Sequence, residues 1–248
     1  MAAGNTFVAE KVCPVCGKTT RVTRVRSRLM AMTTDCDFCT HYKNFNPYYY
    51  TVWVCEHCAY AADEKRFTSP MPSRHQAAIQ AIQKKHRISF EYHEERNLPE
   101  AVAAYRLAIF YDEQIKGSLG HLAGLYLELA WVYRLSGDID NEEPMLRRAA
   151  TLYEQSLMTE RYPVGALSDT MAMYLTGAIY YRLHAFDQAT NFLGRLISDQ
   201  SLRGTNPKIY DRARDLWQDI RLEKEAEEKR IAAEMRQAAA AAGKRPFV

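Results

Sequence analysis

The six cysteines of the chain form three Cys-x-x-Cys pairs, all before residue 60. The outer pairs, Cys13–Cys16 and Cys55–Cys58, have the spacing of zinc knuckles, which are tight turns whose backbone amides point at two thiolates. Two knuckles on one small module supply four thiolates, the donor set of a closed tetrahedral Zn²⁺ site. The sequence therefore predicts a structural zinc ribbon with Cys13, Cys16, Cys55 and Cys58 as ligands and no position left for water or substrate.

The middle pair, Cys36 and Cys39, leaves three interpretations open. With His41 the two thiols would bind a second metal, as a dithiol they would form a redox or metal-sensing pair, or they are packed core residues. Asp35 and Asp37 flank Cys36, and two carboxylates raise the pKa of a neighbouring thiol, which disfavours an activated thiolate. A second closed site also lacks an obvious further pair of ligands, so the sequence favours core thiols.

A basic run between the knuckles includes Arg21, Arg24 and Arg26. Together with the aromatic residues between 38 and 53, it would suit a nucleic-acid surface of positive charge and stacking rings. Alternatively, the arginines are the solvent face of one strand and the aromatic rings form the core of the ribbon. Residues 19–25 alternate as a half-solvated strand does, and the formal net charge is only +3, so the second interpretation is favoured.

The remainder of the chain, from about residue 75, has helical periodicity that recurs. Tyr92, Tyr133 and Tyr180 each lie late in a first helix, and small or apolar residues punctuate the helix that follows. This pattern predicts tetratricopeptide-like hairpins, in which each helix pair buries its face only against its neighbours. The tyrosines are spaced more widely than the ~34 residues of that repeat, so longer helices or loops are expected. Successive first helices contribute the candidate lining of a ligand groove: Tyr126, Arg134, Tyr174 and Arg182.

These patterns predict an α+β protein whose β-rich and helical parts are segregated along the chain. We expect a zinc-ribbon-like domain at 1–68, a linker rich in proline and serine at 69–74, and a tetratricopeptide-like helical domain at 75–222. A charged, alanine-rich helical tail with a frayed end follows at 223–248.

Several classes of function lack their sequence signals. No apolar stretch approaches the roughly 20 residues of a membrane helix, and the start of the chain has no secretory signal pattern. There is no glycine-rich phosphate loop, no His-Glu-x-x-His and no Gly-x-Ser-x-Gly. The sequence therefore predicts a non-enzymatic cytoplasmic protein that does not enter a membrane.

Four phrases resemble a bacterial family named only as domain of unknown function 2225. They are Cys13-Pro14-Val15-Cys16, Asp35-Cys36-Asp37-Phe38-Cys39, Asn46-Pro47-Tyr48-Tyr49-Tyr50 and Val54-Cys55-Glu56-His57-Cys58-Ala59-Tyr60-Ala61. The resemblance is strong over residues 11–67 and is carried further by the helical layout and by Ala213-Arg214-Asp215-Leu216-Trp217. It implies a zinc ribbon joined to tetratricopeptide-like helices, and it brings no activity.

The second knuckle departs from the family pattern at one position that affects its backbone. Ala59 stands where the family has glycine, the residue best suited to a tight knuckle turn. We therefore expect the second knuckle to be slightly distorted.

Taken together, the sequence predicts a zinc-binding adaptor that holds a protein, a peptide or a small regulatory ligand on its helical surface. Two alternatives remain. One is nucleic-acid binding through Arg21, Arg24 and Arg26, and the other is a thiol redox or metal sensor at Cys36 and Cys39.

Overall fold

The fold is that of a computed structural model, which describes residues 4–242 apart from Arg87, Ser89 and Tyr92, with the backbone alone over 238–242. The chain forms two compact units, Met1–Ala172 and Met173–Val248.

The described N-terminal part contains six short strands that form three separate antiparallel hairpins. The pairs are β1 (Thr6–Val12) with β2 (Thr19–Val25), β3 (Ala31–Thr34) with β4 (Thr40–Tyr42), and β5 (Val52–Val54) with β6 (Ala61–Asp63). A short 3₁₀ helix, Pro47–Tyr50, precedes β5, and its first turn is capped by the side chain of Asn46. The predicted strand at 19–25 is confirmed as β2.

Nine helices follow in the described residues. They are α1 (Glu64–Thr68), α2 (Ser73–Lys85), α3 (Leu98–Gln114), α4 (Leu119–Ser136), α5 (Ile139–Thr159), α6 (Asp169–Arg182), α7 (Phe186–Ser198), α8 (Leu202–Thr205) and α9 (Pro207–Ala242). The order of strands followed by helices confirms the predicted segregation of β-rich and helical parts. No helix in the described ranges is both long enough and apolar enough to cross a membrane.

The core of the first unit forms where the ribbon meets helix α3. Ala101, Ala104, Tyr105 and Ala108 are fully buried, and their i, i+3, i+4, i+7 spacing places them on one face of the helix. Helix α3 packs against β5, β6 and the 3₁₀ helix on one side and against α4 on the other. The small alanines allow close approach, while Tyr105 reaches across to donate a hydrogen bond to the carbonyl of Tyr48.

The segments that follow Tyr133 and Tyr180, two of the three tyrosines that mark the recurring pattern, form the same helical turn. Gly137, with φ +80°, follows the end of α4, and His184, with φ +54°, follows the end of α6. The backbone therefore leaves each helix through the left-handed conformation. In each turn, the next amide donates to a carbonyl five residues earlier, Asp138 N to Tyr133 O at 3.0 Å and Ala185 N to Tyr180 O at 2.9 Å. These turns join α4 to α5 and α6 to α7.

The corresponding segment after Tyr92 in the sequence, residues 95–101, does not form this turn. Asn97 instead caps α3 in a reciprocal arrangement with Glu100, with both hydrogen bonds at 3.0 Å. Tyr92, which marked the first repeat, lies outside the described residues. A regular tetratricopeptide-like repeat therefore stays a prediction.

The boundary between the two compact units falls within α6. The domain boundaries at the 69–74 linker and at residue 223 stay predictions. The expected helical tail belongs to α9, and residues 243–248 of its expected frayed end lie outside the described range.

The close contact between α6 and α7 gives a test of packing. A Cβ on Gly177 would lie 2.8 Å from Leu193 Cγ, and Leu193 is fully buried. A Cβ on Gly194 would meet only Trp217 Nε1, at 3.9 Å. Both Gly→Ala changes raise helix propensity equally, so Gly177→Ala should be less stable than Gly194→Ala by about 1–3 kcal/mol in urea unfolding. Equal stability of the two variants would contradict this packing.

Candidate metal centre

The four predicted ligands meet at the tips of two hairpins. The β1–β2 pairing closes at Val12 and Thr19, and the β5–β6 pairing closes at Val54 and Ala61, so each knuckle is the six-residue turn of its own hairpin. The Cys13 and Cys58 sulfurs are 3.7 Å apart, as are those of Cys16 and Cys55. All four sulfurs lie within 4.8 Å of one another.

These distances fit a tetrahedral metal ion. With metal–sulfur bonds of about 2.3 Å, the sulfurs of a regular tetrahedron are about 3.8 Å apart. Hydrogen bonds with Cys55 and Cys58, and then burial, raise the pKa of Cys13. Since crowded thiols ionise together only when a cation neutralises them, the donor set and its spacing both suit a bound metal.

The two knuckles have matching backbones. Cys13 N donates to Lys18 O and Gly17 N to Cys13 O, both at 2.9 Å. In the second knuckle the two equivalent bonds, Cys55 N to Tyr60 O and Ala59 N to Cys55 O, are both 2.8 Å. Gly17 has φ +72° and Ala59 has φ +54°. The expected distortion at Ala59 is therefore not observed, because alanine adopts the left-handed conformation itself at an energetic cost.

Helix α2 forms hydrogen bonds to both knuckles through three glutamines, which were not identified from the sequence. Gln76 and Gln80 donate to the carbonyl of Val15, at 3.0 and 2.9 Å, and Gln83 donates to the carbonyl of Cys58 at 2.7 Å. Their i, i+4, i+7 spacing places them on one helix face and was a detectable signal.

The three arginines of the candidate nucleic-acid face are engaged within the ribbon. Arg21 forms an ion pair with Glu56 at 3.0 Å, and Arg24 forms one with Glu64 at 2.8 Å. Arg26 donates to a backbone carbonyl at 2.9 Å. Partial neutralisation of this run disfavours a nucleic-acid surface.

The middle cysteines lie in a different environment. Cys39 is fully buried, and burial raises the pKa of its thiol to about 12. Asp35, Cys39 and His41 offer atoms within 4.8 Å of one another, a group that does not include Cys36. His41 Nε2 lies 3.1 Å from Asp35 Oδ2, so the histidine is oriented by the carboxylate.

The charge of this cluster is balanced by Arg134 of α4. Its guanidinium contacts Asp35, Asp37 and Glu142, each at 2.7 Å, and only 8% of its side chain is exposed. Asp37 is fully buried and also accepts from Trp131 Nε1 at 3.1 Å. A guanidinium already placed against the carboxylates disfavours a second metal ion here, and a protonated Cys39 disfavours a redox dithiol.

The predicted ligand groove needs correction. Arg134 is buried in its ion pairs, and Tyr174 is 1% exposed, so neither side chain can line an open surface. Tyr126 is partly exposed and donates to Glu113 at 3.1 Å, whereas Arg182 is exposed. The sequence pattern alone could not distinguish an arginine in solvent from one held by distant carboxylates.

The Arg134 cluster should be a major source of stability. We expect Arg134→Ala to lower the free energy of unfolding by about 3–5 kcal/mol, because it removes the guanidinium that contacts the fully buried carboxylate of Asp37. Arg147→Ala is the matched control, since Arg147 pairs with Glu143 one turn away on an exposed surface and should lose less than about 0.5 kcal/mol. Urea unfolding measures both, and a small loss for Arg134→Ala would refute the role.

The first knuckle can be tested through its glycine. A Cβ on Gly17 or on Gly137 would have open space around it, and both residues have positive φ, so Gly→Ala should cost about 1–2 kcal/mol of backbone strain at either site. Only Gly17→Ala should also weaken metal binding, by roughly fivefold or more, because the knuckle must fold to bind. Competition with a chromophoric chelator measures this affinity, and equal affinities in the two variants would count against coupled folding.

Comparison with known proteins agrees with the motifs. No curated protein and no solved structure matches the chain. Residues 7–220 match a family model described as an uncharacterized protein conserved in bacteria (DUF2225). This segment takes in both knuckles and the Arg134 cluster and ends within α9, and the chain therefore belongs to this bacterial family.

Proposed function

We propose that the protein is a non-enzymatic, cytoplasmic zinc-binding adaptor. The observation that carries the proposal is the set of four thiols, all within 4.8 Å of one another, on two matching knuckles. Four sulfur donors in a tetrahedral arrangement are typical of structural Zn²⁺ and leave no position for a reacting water. The metal would hold the ribbon in shape and take no part in catalysis.

Zinc binding would supply much of the free energy that folds the ribbon. The three hairpins are two-stranded and belong to three separate sheets, and such hairpins are marginal alone in water. Cys13, Cys16, Cys55 and Cys58 would join the first and third hairpins directly. Zinc binding then supplies folding free energy that the small apolar core cannot.

The adaptor role requires a surface for a partner, and the ribbon offers a better one than the predicted groove. Large apolar side chains are exposed on its first two hairpins and beside them: Phe7, Val8, Val12, Met30 and Met32. Exposed apolar residues grouped on a small module suit contact with an apolar surface of another protein. The tetratricopeptide-like helices would then support this surface, with the partner a protein or peptide.

Two cysteine-to-serine substitutions, one at a proposed zinc ligand and one outside the ligand set, test the proposal. Cys13→Ser should abolish zinc binding and the folding of the ribbon, whereas Cys36→Ser should keep one zinc per chain. Native mass spectrometry measures the metal, and capture of binding proteins compares the partners of each form. We expect partners to be shared by the wild type and Cys36→Ser and lost from Cys13→Ser.

Other results would count against the proposal. Loss of zinc from Cys36→Ser would indicate that the metal binds at Cys36 and Cys39, and would favour a sensor. If zinc-free Cys13→Ser kept the same partners, partner binding would not depend on a folded ribbon.

A further inference from the structure

A cavity of about 860 Å³ lies within the first compact unit, with walls from the ribbon and from helices α4 and α5. Trp53 comes from β5, Gly124 and Leu125 from α4, and Tyr153 from α5. The volume falls in the range of small-molecule sites, about 300–1,000 Å³. A Cβ on Gly124 would lie 3.7 Å from Tyr153 Oη, so the absence of a side chain there keeps the space open.

Glu128 of α4 places a carboxyl group at the inner side of this cavity. The side chain is surrounded by protein yet remains partly exposed, because it lines the cavity. Tyr105 Oη lies 3.1 Å from Glu128 Oε2 and also 3.1 Å from the carbonyl of Tyr48. The single hydroxyl proton of Tyr105 can satisfy only one of these acceptors, so the carboxyl group has capacity for another donor.

The two arginines that line the cavity have other partners. Arg24 pairs with Glu64 at 2.8 Å, and Arg66 forms a hydrogen-bonded ion pair with Asp112. Over the described ranges no arginine or lysine forms an ion pair with Glu128. A buried carboxylate without a cation is costly, and a cationic ligand would remove that cost.

An anionic ligand suits the cavity less well. Helix α4 begins at its edge, but the backbone amides of Leu119 and Gly120 already donate to Glu160, at 2.9 and 2.8 Å. The anion site that a helix N-terminus would offer is thus filled. Lys65 also lines the cavity, with an exposed side chain at its outer side.

We infer that this cavity binds a small organic amine, with the ammonium group against Glu128 and an apolar body against Trp53 and Leu125. A carboxylate supplies the charge-assisted hydrogen bond, and aromatic faces favour a neighbouring cation. The inference concerns a ligand site separate from the four thiols, and it stands whether or not the protein is an adaptor.

The ionisation of Glu128 gives the binding a characteristic pH dependence. Burial raises the pKa of Glu128 to about 7. An ammonium ligand binds the carboxylate form, so its affinity should rise with pH between about 5.5 and about 8.5. The other titratable and charged groups that face this carboxyl or line the cavity are Tyr105 of α3, Asp63 of β6, His121 of α4, Tyr153 of α5, Tyr50 of the 3₁₀ helix, Arg24 of β2, and Glu64, Lys65 and Arg66 of α1.

His121 is the group most able to imitate this dependence. Its two ring nitrogens lie 2.7 Å from Asp63 and 3.2 Å from Asp112. Burial alone would lower the pKa of His121, but the hydrogen bonds to Asp112 and Asp63 outweigh it and raise the pKa. Glu128→Gln separates the two groups, because it removes the carboxyl and retains the histidine.

Three probes with the same phenylethyl body test the inference: phenethylamine, phenethyl alcohol and 3-phenylpropionate. Calorimetric titration of the zinc-loaded full chain at about pH 8.5 should show the amine binding at least about tenfold more tightly than the other two. Glu128→Gln should reduce the amine to the affinity of the alcohol and abolish the pH dependence. Glu143→Gln, which neutralises an exposed carboxylate on α5, should change neither.

Gly124→Leu tests whether the amine binds in this cavity. Its Cβ makes an ordinary contact with Tyr153, and the rest of the side chain should fill the cavity and abolish binding of the amine. Equal affinities for the three probes, binding of none of them, or tight amine binding in Glu128→Gln would overturn the inference. Amine binding that survives Gly124→Leu would place the ligand elsewhere and overturn it as well.

Discussion

The ribbon depends on the approach of four sulfurs at two hairpin tips. Its strands form three two-stranded sheets that share no ladder, so backbone hydrogen bonding cannot carry order from one hairpin to the next. The thiols of Cys13 and Cys58, and those of Cys16 and Cys55, connect hairpins that lie about forty residues apart along the chain. Four adjacent thiolates repel one another, and a bound metal ion would remove that repulsion and join the two hairpins.

Two buried arginines, Arg96 and Arg134, connect the ribbon to the helical part through hydrogen bonds and ion pairs. Arg96 donates to the carbonyls of Tyr49 and Val52, at 3.1 and 2.6 Å, where the 3₁₀ helix passes into β5. Arg134 holds Asp35 and Asp37 against α4. Such groups are costly to bury, but each has many directional partners, so they fix where the loops sit more tightly than apolar contact would.

Local patterns along the chain predict structure correctly, whereas features that depend on distant partners cannot be predicted from them. The spacing of Cys13 and Cys16 predicts a knuckle turn and the alternation of residues 19–25 predicts a strand, and the structure contains both. Arg134 was placed in an open groove because its partners, Asp35 and Asp37, are about a hundred residues away. Glu128 lies within an apolar helix, and only the packing of α4 against the ribbon exposes it to a cavity. Nothing in its neighbours along the chain indicates that environment.

The metal centre and the cavity share one structural element, the β5–β6 hairpin. Trp53 and Asp63 line the cavity from the two strands, while Cys55 and Cys58 lie in the turn that joins them. A ligand held against Trp53 would therefore favour the same hairpin conformation that brings these thiols together. Linkage is reciprocal, so an ion that orders the turn must strengthen binding in the cavity by the same factor. The positions of these residues on one hairpin would make the ribbon a wall of the proposed ligand site as well as the holder of the four thiols.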